Sequence, residues 1–279
     1  MKIYVLIEDT PVAGYKTEHG LSLLIENGEK HYLLDAGTTD AFLANAEKMG
    51  LDAGNVECSI LSHGHYDHSG GYGTYLTQNP NVKVYAMACA EGEYYSGTGG
   101  RIHEVGVPKD VLPVHRDKFI FINEKIELDA GVYLIPHSTK GLEALGERAT
   151  LYKKCGETYV PDDFAHEQSL VFDTEKGLVI FNSCSHAGVQ NIIEEVKYAL
   201  PGKKISAFVG GLHMKGKVDG AEVCIFTEDE VRRMAEYLKN EGVEKLYTGH
   251  CTGNVAFEML QKHLGNRIGK LNTGECIVV

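Results

Sequence analysis

The chain has 279 residues, 43% of them hydrophobic and 24% charged, a balance that supports a substantial core and excludes disordered and fibrous classes. Lys and Arg number 27 against 39 Asp and Glu, a net charge of −12, so the average field repels nucleic acid and anionic membrane, and an anionic ligand needs a local basic pocket. No apolar run approaches the roughly 18 residues of a membrane span. The opening MKIYVLIEDT is interrupted by Glu8 and Asp9 and reads as no secretory signal. Seven cysteines without a C-x-x-C spacing argue against a disulfide framework, and a cytoplasmic location is expected.

In chain order, Ile3–Ile7, Leu21–Glu26 and Lys30–Leu34 read as strands. Asn27-Gly28 between two apolar runs predicts a hairpin whose central residues both take positive φ. Asp40 to Met49 has Phe42, Ala46 and Met49 at helical spacing and Gly50 to end it. Val56–Leu61 reads as a buried strand that opens into Ser62-His63-Gly64-His65-Tyr66-Asp67-His68-Ser69-Gly70-Gly71. In the second half, Ser169–Asp173 and Leu178–Asn182 read as a hairpin, followed by a helix from Gly188 to Leu200 with Val189, Ile192, Ile193 and Val196 on its apolar face. Lys204–Val209 is a further strand. Thr227 and Glu230 form a capping box for a helix burying Val231, Met234, Ala235 and Leu238. Val243–Tyr247 opens into Thr248-Gly249-His250-Cys251-Thr252-Gly253, a last helix carries Phe257, Leu260 and Leu264, and Cys276–Val279 reads as an edge strand. Strands and helices in each half predict an α/β architecture of two packed sheets with helices on the outer faces. A single domain over 1–279 is expected, with insertions at about 90–118 and 138–166, where Gly and charge replace any clear periodicity.

Three imidazoles and a carboxylate fall within six residues, at His63, His65, Asp67 and His68. Alternate residues of an extended segment point the same way, so His63 and His65 can share one metal while Asp67 and His68 turn toward a second. Glycines 64, 70 and 71 are expected to let the backbone make that turn. Cys251 and Cys58 read as small buried apolar residues, and His19, His31, His115 and His263 as ordinary surface or core histidines. His213 ends an apolar strand after Gly210 and Gly211, which places it as a proton donor or substrate-binding group.

The run His63-Gly64-His65-Tyr66-Asp67-His68 resembles the H-x-H-x-D-H motif of the metallo-β-lactamase superfamily, and Leu34-Asp35-Ala36-Gly37 resembles that family's first motif, an aspartate that supports the ligands without binding metal. The resemblance implies an αββα sandwich with a two-metal site along one edge. It also implies the remaining ligands: Cys184 at the end of a central strand, His186 beside a helix N-terminus, and His250 after the last core strand. His166, which precedes Ser169–Asp173, stands as the alternative to His186. Within the superfamily, Asp163-Phe164-Ala165-His166-Glu167-Gln168-Ser169-Leu170, Ser183-Cys184-Ser185-His186-Ala187-Gly188, Gly210-Gly211-Leu212-His213 and Thr248-Gly249-His250-Cys251-Thr252-Gly253 resemble a subfamily named for dihydropterin-6-ylmethyl-(ribofuranosyl)aminobenzene 5′-phosphate synthase.

The cofactors so implied are two divalent transition-metal ions, zinc first, with iron and manganese as alternatives. The expected activity is that of a metal-dependent hydrolase whose metal-activated hydroxide attacks a small ester, lactone or phosphoester, with Asp67 and His213 in catalytic roles. A transferase joining a dihydropterinylmethyl diphosphate to an aminobenzene riboside phosphate is the alternative, and a non-catalytic metal binder or sensor a third. A diiron oxygen reductase is disfavoured, because that group has Glu where this chain has His65. The expected partner is a small molecule, phosphorylated if Arg101, His103, Arg148, Lys153, Lys154, Lys215 and Lys217 form a basic rim; no nucleic acid or membrane partner is expected.

Overall fold

The computed structural model describes residues 1–279 and divides into two compact units, Met1–Glu124 with Pro136–Gln168 and Asn272–Val278, and Lys125–Ile135 with Ser169–Leu271. The first unit is built on a seven-stranded mixed sheet. Its meander Lys2–Ile7, Ser22–Asn27 and Lys30–Leu34 is antiparallel, as the sequence predicts, and Cys276–Val278 adds to the edge beside Lys2–Ile7. Cys58–Ile60, Val84–Met87 and Phe119–Ile122 continue the sheet in parallel. Helices Ala41–Lys48 and Tyr72–Gln78 bury Phe42, Ala46, Tyr72, Tyr75 and Leu76 in one cluster with Leu6, Leu24 and Leu33 of the sheet.

The first hairpin forms with a different turn from the one expected. Asn27 pairs with Lys30, so Gly28 and Glu29 are the central residues, and only Gly28 has positive φ (66°). That is the pattern of a type II′ turn, whose first central position alone demands glycine.

The two segments expected as insertions acquire structure by pairing with one another. Tyr94–Ser96 and His103–Glu104 come from the first, Leu151–Cys155 and Thr158–Pro161 from the second, and together they make an antiparallel four-stranded sheet. Its pairings join residues far apart in the chain, which explains why local periodicity gives no sign of it.

The second unit carries another seven-stranded mixed sheet, in which Gly177–Phe181, Ile205–Val209, Lys245–Thr248 and Ile268–Lys270 run parallel. Helix Val189–Ala199 buries the four predicted residues Val189, Ile192, Ile193 and Val196. Helix Glu228–Asn240 starts at the predicted capping box, with both reciprocal Thr227–Glu230 hydrogen bonds made. A hairpin of Lys215–Val218 and Ala221–Cys224, unmarked in the sequence pattern, follows His213. No helix is long and apolar enough to cross a membrane.

Gly210 fixes where the chain leaves the strand Ile205–Val209. Its φ is 140°, and a Cβ there would stand 1.9 Å from the carbonyl oxygen of Asn182. Gly210→Ala is therefore expected to cost more than about 2 kcal/mol, because neither backbone can yield without breaking sheet pairing. A thermal or denaturant melt reads the loss; a variant as stable as wild type would show that this crossing is not tight.

Candidate metal centre

In the first unit the donors sit immediately past the strand Cys58–Ile60, on an extended segment and the short helix Tyr66–Ser69. His63, His65, Asp67 and His68 are all buried. The His63 ring lies 4.6 Å from that of His65 and 4.3 Å from that of His68, centroid to centroid.

Asp35, wholly buried at φ 60°, organises two of these rings. Its Oδ1 accepts the Ser62 backbone N–H at 2.7 Å, and its Oδ2 accepts the Ser62 hydroxyl and the His68 Nδ1–H, each at 2.7 Å. With its proton committed to Asp35, the Ser62 oxygen accepts from His63 Nδ1–H at 2.8 Å. Both imidazoles are thereby held in the tautomer whose lone pair is on Nε2, the form a cation requires. Burial first, and the neighbouring His166, push the His65 imidazole down to about 3, so it is neutral at pH 7.

Glycines 64, 70 and 71 serve the loop by their size: none has positive φ. A Cβ at Gly70 would meet the Thr38 carbonyl oxygen at 2.1 Å, one at Gly71 the Ala36 carbonyl oxygen at 2.1 Å, and one at Gly64 the Ala90 carbonyl oxygen at 2.9 Å. Close approach of neighbouring backbone, and not torsional freedom, requires them.

His166 is committed elsewhere. Its Nδ1 accepts the Gly64 backbone N–H at 2.9 Å and its Nε2–H donates to Asp162 at 3.0 Å, while its ring lies 4.0 Å from that of Tyr94. With both nitrogens bonded, this histidine braces the loop that carries His63 and His65.

His19 was expected to be an ordinary histidine, yet it reaches the carboxylate of the motif. Its Nε2 lies 3.3 Å from Asp67 Oδ2 and its Nδ1 2.9 Å from Asp9 Oδ2. Glu18 fixes the approach by accepting the Thr38 and Thr39 backbone N–H groups at 2.9 and 3.0 Å. Nothing in sequence spacing marks His19, since only the folded loop brings it to Asp67.

In the second unit, Cys184 and His186 follow the strand Gly177–Phe181, and Asn182 shapes the turn by accepting the Ser185 N–H at 2.8 Å. Ser185, His213 and His250 take left-handed φ of 53°, 45° and 50°. Such conformations cost about 1–3 kcal/mol each and cluster where geometry serves chemistry. The His213 ring lies 4.3 Å from that of His186. Cys184, His250 and Cys251 bring their ligand atoms within 4.8 Å of one another.

The expected basic rim is weakened by its own neighbours. Lys153 Nζ pairs with Asp163 at 2.6 Å and Lys154 Nζ with Glu93 at 3.7 Å, so the lysines of that strand already have counter-charges.

Buried imidazoles, a carboxylate and a thiol fit a divalent transition cation in donor chemistry. The family model of the metallo-β-lactamase superfamily matches residues 16–141. With two mixed sheets, their helices and the H-x-H-x-D-H loop in place, the chain has the metallo-β-lactamase fold. It is similar, at 28% identity over 99% of this chain and 96% of the relative, to the 7,8-dihydropterin-6-methyl-4-(β-D-ribofuranosyl)-aminobenzene-5′-phosphate synthase of Methanocaldococcus jannaschii. Among solved structures it is similar to Tm1679, a metal-dependent hydrolase of the β-lactamase superfamily, with a TM-score of 0.81, 28% identity, and coverage of 100% of this chain and 99% of that one. Zn²⁺-bound PqqB from Methylobacterium extorquens shares the fold, with a TM-score of 0.58 at 12% identity and full coverage of both chains (100% each). The chain is an enzyme, a hydrolase or a transferase.

Asp35→Asn tests the supporting role of that carboxylate. An amide cannot accept from Ser62 and His68 at the same oxygen with the same strength, so metal retention is expected to fall about 10- to 100-fold. Competition with a chelator reads it; unchanged retention would show that Asp35 does not orient the imidazoles.

Proposed function

We propose that this protein is a metal-dependent transferase that joins a dihydropterinylmethyl diphosphate to the amine of an aminobenzene riboside phosphate and releases diphosphate. The similarity to the Methanocaldococcus synthase along nearly the whole of both chains carries the reading. It reverses the order expected from sequence, where hydrolysis came first. The proposed ligands of the metal ions, two divalent transition-metal ions with zinc in the first instance, are His63, His65, Asp67, His68, Cys184, His186 and His250. The Nε2 tautomers set through Asp35 support His63 and His68 as ligands. The full commitment of both His166 nitrogens supports leaving that residue out.

Divalent cations there would take up negative charge on the departing diphosphate. In the reaction, the bond between the pterinylmethyl carbon and the diphosphate oxygen breaks, the aryl nitrogen bonds to that carbon, and the nitrogen gives up one proton. Asp67 is the proposed acceptor of that proton, held in place by His19. His213 is proposed to serve the substrate; its backbone is fixed by hydrogen bonds from Leu212 N–H to Thr252 Oγ1 and from Met214 N–H to the Cys251 carbonyl oxygen. A hydrolase acting on a small ester, lactone or phosphoester is the second reading, favoured by the 28% identity to Tm1679.

Incubating the metal-loaded protein with both substrates and following the coupled product by mass spectrometry tests the proposal. Coupling is expected; free hydroxymethylpterin and diphosphate without coupling would favour the hydrolase, and no turnover would overturn the transferase. His213→Ala should keep fold and metal while turnover drops by at least about 100-fold. Equal loss of metal would make His213 a ligand instead. Replacing His63 and His65 together should remove at least one ion, and unchanged elemental analysis would overturn their assignment.

A further inference from the structure

The sequence reads Cys251 as a small apolar filler, but its surroundings in the second unit are polar. Cys184 follows the strand Gly177–Phe181, while His250 and Cys251 follow the strand Lys245–Thr248. The exposures of the three are 2%, 1% and 7%, and their ligand atoms all lie within 4.8 Å of one another. Gly211 makes the room: a Cβ there would stand 2.3 Å from the Cys251 sulfur. The backbone N–H of His213 donates to the same sulfur at 3.3 Å. The Cys251 S–H in turn donates to the Cys184 carbonyl oxygen at 3.7 Å, so the sulfur has polar neighbours on two sides, which an apolar filler has no use for.

A tetrahedral cation with metal–sulfur bonds of about 2.3 Å sets its two sulfurs about 3.8 Å apart. The ligand atoms of this trio, all within 4.8 Å of one another, lie near that spacing. Left-handed φ at His250 (50°) turns the chain sharply between strand and sulfur, so His250 and Cys251, adjacent in sequence, both remain in the cluster.

We propose that Cys251 is a metal ligand, and that Cys184, His250 and Cys251 form a three-donor site for a thiophilic divalent cation such as zinc or ferrous iron. The two thiols each lose a proton on binding, and the fourth coordination position is left for a further ligand. The inference deepens the proposed metal dependence, adding a second thiolate to the donors assigned above, and it does not depend on whether the reaction is transfer or hydrolysis.

The test uses the reduced full chain, stripped of metal and reloaded with cobalt(II). Thiolate-to-cobalt charge-transfer absorption is expected in wild type, reduced to about half in Cys251→Ser and lost in the Cys184→Ser/Cys251→Ser double variant. Circular dichroism confirms that each variant is folded. A full-strength band in Cys251→Ser overturns the proposal. A second measurement needs no variant: cadmium, the softer ion, favours thiolates, and the cadmium-113 resonance of wild type at one ion per chain should report two bound sulfurs. A resonance typical of one sulfur or none overturns it equally. Both readouts are made without substrate, so failure to couple the pterin with the thiolate signals intact counts against the proposed function alone.

Discussion

A carboxylate wholly removed from water is tolerable only if its oxygens are engaged, and the fold of the first unit meets that demand at Asp35. Three donors reach it, from the Ser62 backbone, the Ser62 hydroxyl and His68. The same bonds that solvate the charge also decide which nitrogen of His63 and of His68 carries a proton. Stability and ligand geometry are therefore not separable here. The strand Lys30–Leu34 delivers Asp35 and the parallel strand Cys58–Ile60 delivers Ser62, so the pairing of these two strands sets the reach of the carboxylate.

Beyond those strands the chain spends conformational strain in a restricted set of places. Of the seven non-glycine residues with left-handed φ, Asp35, Ser185, His213 and His250 lie in or beside a donor set, whereas Thr150 and Asp219 serve ordinary turns and Phe164 precedes His166. Glycine would adopt these torsions at no steric cost, but glycine has no side chain to offer a metal or substrate. The strain is sustained by close packing of backbone on backbone, visible in the contacts that a Cβ at Gly70, Gly71 or Gly210 would meet. The parallel strands of each mixed sheet carry their C-terminal ends to one edge, where these residues follow them.

The amphipathic elements were legible in the sequence because helix and strand periodicities are local. Val189, Ile192, Ile193 and Val196 face the core as their spacing requires, and Thr227 with Glu230 caps its helix. The motif of His63, His65, Asp67 and His68 was legible for the same reason, since its donors are neighbours in the chain. Long-range features were not. The four-stranded sheet made by residues 94–104 with 151–161 exists only when two distant segments meet. His19 reaches Asp67 through a loop that Glu18 pins to Thr38 and Thr39, and Cys251 reaches Cys184 across strands that are not adjacent in sequence. Composition also hid the pairing of Lys153 and Lys154 with Asp163 and Glu93, because a count of lysines does not say which carry a counter-charge.

That pairing bears on how an anionic substrate is recognised. A net charge of −12 is spread over the surface, and beyond roughly 10 Å such charge is largely screened at 0.1 M salt. Discrimination for a diphosphate must then come from groups at contact distance. With Lys153 and Lys154 already paired, the proposed function gives that task to cations held by the proposed imidazole, carboxylate and thiolate ligands. Such an arrangement ties substrate affinity to metal occupancy. Under the proposed function it also rewards a leaving group that brings two phosphates to the cations over an ester that brings a single weak donor.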